Sequence, residues 1–225
     1  MNKDIVSYYD AIAAEYDSSR FGNSYGRFID AEERRILDCV IGEKQGRQVL
    51  EMACGTGRLT GYATHALDAS EEMMAFARKR CTDVQFVRAS ATDSGFPDGM
   101  FDIVYSFHLL MHLDVGTVRQ FIDEAYRILK PGGRLIIDIP SGKRRRLLRH
   151  ERKSWHGATA LTSAELKEMV SDKFSLHRSF GIMMLPVHRL PKVLRRPLLD
   201  IDYALANGRF MEYSSYMVFE LTKNK

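Results

Sequence analysis

Cysteine is scarce in this chain. Three occur in 225 residues, Cys39, Cys54 and Cys81, odd in number and at no metal-ligand spacing. That excludes a disulfide scaffold and a cysteine-held metal centre; no metal is expected. It points to free thiols in a reducing compartment, so the expected location is cytoplasmic. Tryptophan occurs once, at Trp155, and proline six times, with no Pro- or Ser-rich linker, repeat or low-complexity tract. No apolar run reaches the ~20 residues of a membrane-spanning helix. The opening stretch, MNKDIVSYYDAIAAEYD, is charged and has no apolar segment of the kind a secretory leader carries. The rest of the composition is ordinary for a globular protein, 45% hydrophobic and 28% charged, at the length of one large domain.

Charge is not scarce but is unevenly placed. Residues 141–198 hold fourteen Lys and Arg against four Asp and Glu, a net charge of +10. The remainder holds nineteen against twenty-five, a net charge of −6. Such a segment either attracts an anionic substrate or partner, or is a solvated helical face. The run KRRRLLRHERK (143–153) carries the same two readings, with nucleic acid as a third.

Strand-like and helix-like segments alternate. Residues 2–17 and 26–41 read as helices, the second with Ile29, Ile36, Leu37 and Val40 at helical spacing. Apolar QVLEMA (48–53) and ATHALDA (63–69) read as strands or strand ends. SEEMMAFARKRC (70–81) reads as a helix with Ser70 as its N-cap. VQFVRA (84–89) and FDIVYSFH (101–108) are strands. VRQFIDEAYRILK (118–130) is a helix broken by Pro131-Gly132-Gly133, and RLIIDIP (134–140) is a buried strand. After Pro140 the rhythm loosens into a helix at 163–173, a strand at 174–183, helical spacing over 190–208 interrupted by Pro197, and a last strand within 213–221. This predicts an α/β fold with a doubly wound, mostly parallel sheet. One domain is expected, with a helical cap over 1–45, a ligand-binding core over 46–140, a cover of insertions over 141–210 and a final strand over 211–225.

The informative stretch is VLEMACGTGRLT (49–60), a strand running into Gly-x-Gly. Three ligands compete for such a loop. A phosphate-cradling loop needs Gly-Lys-Ser/Thr, but Gly57 is followed by Arg58-Leu59. A dinucleotide fingerprint needs a third Gly or Ala three residues on, where Thr60 stands, so NAD is disfavoured. S-adenosylmethionine has no pyrophosphate and needs backbone contacts and a carboxylate for its ribose.

Here the chain resembles the class I S-adenosylmethionine-dependent methyltransferases, in particular their small-molecule branch that includes quinone-biosynthesis enzymes. The resemblance spans about residues 5–140. It rests on E-x-A-C-G-T-G (51–57), Asp68 at a strand end, RASATDSGFPDGMFDIV (88–104), SFHLLMHL (106–113), ILKPGGRLII (128–137) and the cap-like YYDAIAAEYD (8–17). It implies a seven-stranded Rossmann-like sheet, S-adenosylmethionine as methyl donor and S-adenosylhomocysteine as product. Glu51 would orient the glycine loop and reach the methionine ammonium through water. Ala53, Gly55 and Gly57 would lie along the methionine and ribose, and Asp68 would accept from both ribose hydroxyls. Ala69 and Met73 would flank the adenine, Ser90 and Ala91 its edge. Ser106 and Phe107 would sit below the sulfonium, with Tyr8, Tyr16 and Arg20 closing over the carboxylate.

Two departures from the family pattern stand out. Ser90 replaces the usual Asp, with Asp93 nearby as a substitute. Only nine residues separate Ala53 from Ala63, so the first crossover has room for little more than one helical turn and its sheet face should be thinly covered. His108 and His112, near the end of the fourth strand, are candidate bases for an acceptor that must lose a proton. Trp155 and His156 either line the acceptor pocket or anchor the insertion. No Asn/Asp-Pro-Pro-Tyr or Pro-Cys stands in the fourth-strand region, which argues against methylation of nucleobases, so nucleic acid is not the expected partner. The expected acceptor is a small molecule, anionic or neutral. A non-catalytic relative on the same fold and an NAD-dependent oxidoreductase are the competing readings. Oligomeric state is unassigned.

Overall fold

The computed structural model describes residues 3–44, 46–149, 158–208 and 210–224. Its elements are α1 (Lys3–Arg20), α2 (Ser24–Val40), β1 (Val49–Met52), β2 (His65–Asp68), α3 (Glu71–Arg80), β3 (Gln85–Arg88), β4 (Phe101–Ser106), α4 (Val115–Ile128) and β5 (Leu129–Pro140). There follow α5 (Gly142–Leu147), α6 (Ser163–Val170), β6 (Phe174–Ile182), α7 (Lys192–Arg195), α8 (Leu199–Ala206) and β7 (Tyr216–Lys223). The seven strands form one sheet in the order β3-β2-β1-β4-β5-β7-β6. The β1 to β5 pairs are parallel, and β7 is antiparallel to both β5 and β6. This is the mostly parallel, Rossmann-like sheet that the alternation predicts. The strand order turns back between β1 and β4, and their carboxyl ends open the crevice where such sheets bind ligands.

Each buried strand serves two cores because its side chains alternate. Leu50, Val104, Leu135 and Ile137 pack under α4 and α6, against Phe121, Ile122 and Leu166. Val49, Ile103, Ile136 and Val218 face the other way, under Phe28, Ile36, Leu37 and Val40 of α2. The helices start where polar caps satisfy their free N–H groups. Asn23 accepts from the amides of Tyr25 and Gly26, both at 2.9 Å, and Ser70 from that of Met73 at 3.1 Å, as its place before the acidic first turn predicts.

Two boundaries differ from expectation. The helix expected over 118–130 ends at Ile128, and β5 already begins at Leu129. Leu129 pairs with Phe101, and pairing resumes at Ile103 with Arg134, so Pro131-Gly132-Gly133 is an irregularity within the strand rather than a break before it. Gly132, at φ +72°, takes the backbone conformation that an inserted bulge needs. Pro197 splits 190–208 into α7 and α8.

The first crossover is as short as its sequence spacing requires. Between β1 and β2 only Thr60–Tyr62 coil, as one 3-10 turn. The face above it is nevertheless well covered. Leu59 and Ala63 are buried against α2, at 2% and 0% exposure. The Tyr62 hydroxyl donates to Asp38 at 2.7 Å, and the Arg34 guanidinium donates to the Arg58 carbonyl at 2.6 Å. So α2 supplies the cover that a full crossover helix would give.

The loop before the turn lies close under α3. At Gly57, φ is +80°, and an added Cβ would come within 2.8 Å of the Ala77 Cα and Cβ. Gly61, four residues on, has open space around it and an ordinary φ. Gly57→Ala should therefore cost at least ~2 kcal/mol, from left-handed strain and overpacking together. Gly61→Ala should be neutral or stabilise by ~0.4–1 kcal/mol through the unfolded chain. Thermal unfolding of the two variants side by side checks both signs.

Candidate active site

Two adjoining cavities open where β1, β2 and β4 end. The first, about 80 Å3, lies between α1 and the strand ends. Ile5, Tyr9 and Tyr16 roof it, Ala53, Gly55, Asp68 and Met73 form one side, and Phe107, His108, Leu109 and His112 the other. The second, about 50 Å3, shares Tyr16, Ala53, Gly55, Phe107 and His108 and continues to Phe21, Glu51, Thr56 and Arg58.

Helix α1 is fastened across this crevice by polar bonds. Asp10 accepts from the Ser70 hydroxyl, and Asp17 accepts from Thr56 at 2.6 Å and pairs with Arg80 at 2.5 Å. The Tyr9 hydroxyl meets the His112 Nε2 at 2.9 Å. Edge-on contacts link Tyr9 to Tyr16 and Tyr16 to Phe21, with centroids 5.8 and 6.1 Å apart.

Asp68 is buried at the end of β2. Its two oxygens accept from the backbone amides of Gly55 at 2.8 Å and Ser70 at 2.9 Å. Burial raises its pKa, and those two bonds oppose the rise. Each oxygen is thus fixed by one donor and keeps capacity for another. Glu51, at the base of the second cavity, accepts from the Thr60 hydroxyl, and burial pushes its pKa up to about 8.

Beneath both cavities lies a buried charge cluster. Arg58 pairs with Asp30 and Glu33 of α2, each at 2.6 Å, and its guanidinium stacks 3.9 Å over the Phe21 ring. Glu33 is fully buried and also meets the His108 Nε2 at 2.5 Å. The other ring nitrogen of His108 stands 3.6 Å from Asp138 of β5, whose second oxygen accepts from the His108 amide at 2.7 Å. Burial opposes charge on His108, but the Glu33 and Asp138 carboxylates outweigh it, and its pKa is raised. Burial lifts Asp138 to about 6.

Of the residues singled out in the sequence, the structure brings together Tyr16, Glu51, Ala53, Gly55, Asp68, Met73, Phe107, His108 and His112. The others do not line either cavity. Gly57 packs under α3. The buried hydroxyl of Ser106 donates to the Met52 carbonyl at 2.7 Å and ties β4 to β1. Ala91 is in the α4-side core, and Ser90 bonds with Thr92. Ala69, Tyr8 and the exposed Arg20 stand outside the lining. Trp155 and His156 lie outside the described residues. The Glu33 and Asp138 carboxylates on either side of His108 favour its charged form. Sequence reasoning missed Tyr9 and Arg58. Tyr9 had a signal, since Ile5, Tyr9 and Tyr16 share one helical face while Tyr8 is off it. Arg58 had none, because its partners lie more than twenty residues upstream.

A glycine loop, a strand-end carboxylate and a helical roof meet at the switch point, where open α/β sheets bind ligands. A family model described as a methyltransferase domain matches residues 50–137. Demethylmenaquinone methyltransferase of Tropheryma whipplei is 33% identical over 142 residues, covering 60% of this chain and 58% of the relative. The ubiquinone/menaquinone biosynthesis C-methyltransferase of Yersinia enterocolitica is 31% identical, with coverages of 59% and 57%. The chain thus spans under three fifths of the length of these relatives. Among solved structures, a Thermotoga maritima S-adenosylmethionine-dependent methyltransferase, a possible histamine N-methyltransferase, superposes with a TM-score of 0.73 at 21% identity, covering 96% of this chain and 98% of that one. Magnesium protoporphyrin IX methyltransferase of Synechocystis PCC 6803, with bound S-adenosylhomocysteine, gives 0.67 at 15% identity and 98% of both chains. The cyclase SpnF gives 0.71 at 15% identity, covering 98% and 95%. The resemblance to the class I S-adenosylmethionine-dependent methyltransferases therefore holds, in sequence over the core and in fold over nearly the whole chain.

The raised carboxyl of Glu51 makes stability pH-dependent with a definite sign. The folded state keeps a proton that the unfolded chain releases above ~4.3. Its contribution is complete below that value and is lost as pH rises through about 8. The melting temperature of the unliganded protein should fall between pH 5 and 8. In Glu51→Gln, where no proton can leave, the fall should be shallower by calorimetry. Parallel curves for the two proteins would contradict this.

Proposed function

We propose that the protein transfers a methyl group from S-adenosylmethionine to a small organic acceptor in the cytoplasm, releasing S-adenosylhomocysteine. The observation that carries this reading is Asp68. It is a carboxylate fixed by the glycine loop at the end of the second strand, facing a cavity at the switch point. The residues present suit this donor better than a dinucleotide. Arg58, beside the glycine loop, is already matched by Asp30 and Glu33 and so offers no free charge to a pyrophosphate. Two acids, Glu51 and Asp68, instead offer acceptors to an ammonium and to ribose hydroxyls. Among the described residues no helix is long and apolar enough to cross a membrane.

The bound donor supplies an activated methyl group on a sulfonium. The chain's own task is then mainly proximity and orientation, which contribute up to ~7–11 kcal/mol. Asp68 and the Gly55 backbone fix the nucleoside, Phe107 and Tyr16 wall the reacting end, and α1 excludes water. The two cavities are far smaller than the roughly 300 Å3 or more of a site enclosing a drug-sized ligand. Helix α1 therefore swings away to admit the donor and closes again, breaking and remaking its bonds to Ser70, Thr56 and Arg80. Where the acceptor must lose a proton, His112 takes it. The Tyr9 hydroxyl at 2.9 Å holds that imidazole in place, and burial keeps the phenol protonated. Names of the sequence relatives support a small-molecule acceptor. The SpnF likeness is a reminder that the fold does not by itself fix the reaction.

Calorimetry with S-adenosylmethionine, S-adenosylhomocysteine and NAD separates the methyltransferase reading from an oxidoreductase. Transfer of a labelled methyl group separates it from a binding protein. Asp68→Ala should weaken S-adenosylhomocysteine binding at least tenfold, because a charge-assisted hydrogen bond contributes ~1.5–3 kcal/mol. Unchanged affinity in that variant would remove the ribose assignment.

A further inference from the structure

Beyond His108 the chain has another cavity, larger than the two already described. Tyr216, whose ring stands edge-on to His108 with centroids 5.3 Å apart, is part of its wall. It measures about 280 Å3 and lies between the start of α2, helix α5 and the chain around 183 and 215. Tyr25, Arg144 and Arg145 give it aromatic and cationic surface, Met183 and Leu148 apolar surface.

Arg144 is the unusual member. It is half-buried, and its Nη1 donates to the carbonyls of Met183, Met184 (2.8 Å) and Tyr213. Among the described residues no carboxylate pairs with it. The acid nearest in effect, Asp202, already accepts from the amides of Met184 and Leu185 and is coupled to Glu32, whose carboxyl is held protonated up to about 9. The Met183 amide in turn donates to Glu32 at 2.8 Å. Residues 183–185 are thus strapped on their N–H side by two acids and on their C=O side by Arg144. This anchors the guanidinium at one nitrogen. Among the described residues its Nε and Nη2 have no acceptor, and that edge is the planar fork that grips carboxylate and phosphate oxygens in pairs. A partly desolvated cation without a counter-charge is costly unless a ligand supplies one.

We propose that this cavity seats an oxyanion, carboxylate or phosphate, carried by an aromatic methyl acceptor. The Nε and Nη2 edge of Arg144 grips it, assisted by Arg145 and the Tyr25 hydroxyl. The acceptor ring then reaches past Tyr216 and His108 toward the donor cavity. This rests on the methyl-transfer reading and adds the substrate class. It also gives the +10 segment a local role: drawing anions to one defined seat.

Three probes test it: 1-naphthoate, 1-naphthyl phosphate and the uncharged 1-naphthalenemethanol. Each is titrated calorimetrically into the full chain, with and without saturating S-adenosylhomocysteine. At least one anion should bind tenfold or more tighter than the alcohol, and the phosphate and carboxylate arms show which oxyanion is preferred. Arg144→Gln should shrink that preference below threefold, and Arg144→Lys should keep part of it. Arg145→Gln and Tyr25→Phe leave the carbonyl straps of Arg144 intact and should each lower anion affinity several-fold. They decide the matter should Arg144→Gln fail to fold. Affinity for S-adenosylhomocysteine should be the same in all variants. Equal binding of anions and alcohol by the unaltered protein overturns the proposal, as does a preference that survives in both Arg145→Gln and Tyr25→Phe. Loss of S-adenosylhomocysteine binding by the unaltered protein would instead strike the methyl-transfer reading, while anion binding without it would still be measured.

Discussion

The connection from β1 to β2 has to cross the sheet in a dozen residues, and much of the molecule is arranged around that shortage. The glycine loop is pressed under α3 until Gly57 has no room for a side chain. The single 3-10 turn buries only Leu59, Thr60 and Ala63. The rest of the cover comes from α2, which grips the turn through Tyr62 and the loop through Arg58. The ion pairs of Arg58 with Asp30 and Glu33 therefore do more than neutralise charge. They hold an N-terminal helix to a loop that has no helix of its own. A buried pair is weak evidence for net stability, but loss of one partner is strongly destabilising, by ~3–5 kcal/mol. The cluster extends through Glu33 to His108 and Asp138, so the same contact that closes the fold also sets the charge state of a residue lining the site.

Much of this was legible in the residues. The alternation of apolar runs with helical spacing located every strand of the sheet, because strands buried on both faces read as short continuous apolar segments. Asp68 and Glu51 were singled out through the resemblance to the methyltransferases, and the structure sets both beside the glycine loop at the strand ends. Other assignments depended on which way a side chain points. Tyr8 and Tyr9 are neighbours in sequence but about 100° apart around a helix, and only the phase of Ile5 and Tyr16 separates them. Gly57 reads from sequence as a glycine that approaches a ligand. Its neighbour is Ala77, and no local pattern reveals what a glycine approaches. Pro131-Gly132-Gly133 has the composition of a loop, and only pairing with Phe101 carries β5 through it.

The two groups of cavities divide the chemistry. Asp68 and Glu51 stand in the first pair, where Arg58 is matched by acids of its own, while Arg144 and Arg145 stand in the other. His108 and Tyr216 stand between them. At that boundary the Glu33 and Asp138 carboxylates favour the charged form of His108. The uneven spread of charge along the sequence is thus reproduced across a distance of a few side chains.

The use of α2 as a substitute cover has a consequence for how the protein is made. Helix α2 carries Phe28, Ile29, Ile36, Leu37 and Val40 as an apolar stripe along one side. The surface that hides this stripe includes Ile182 of β6 and Val218 of β7, both more than 140 residues further along the chain. A full crossover helix would have shielded the young sheet from within its own neighbourhood. Here the growing chain carries that stripe exposed until β6 and β7 have been made, and such surfaces are prone to aggregate. Yield on expression should therefore depend on holding chaperones more than on the stability of the finished fold.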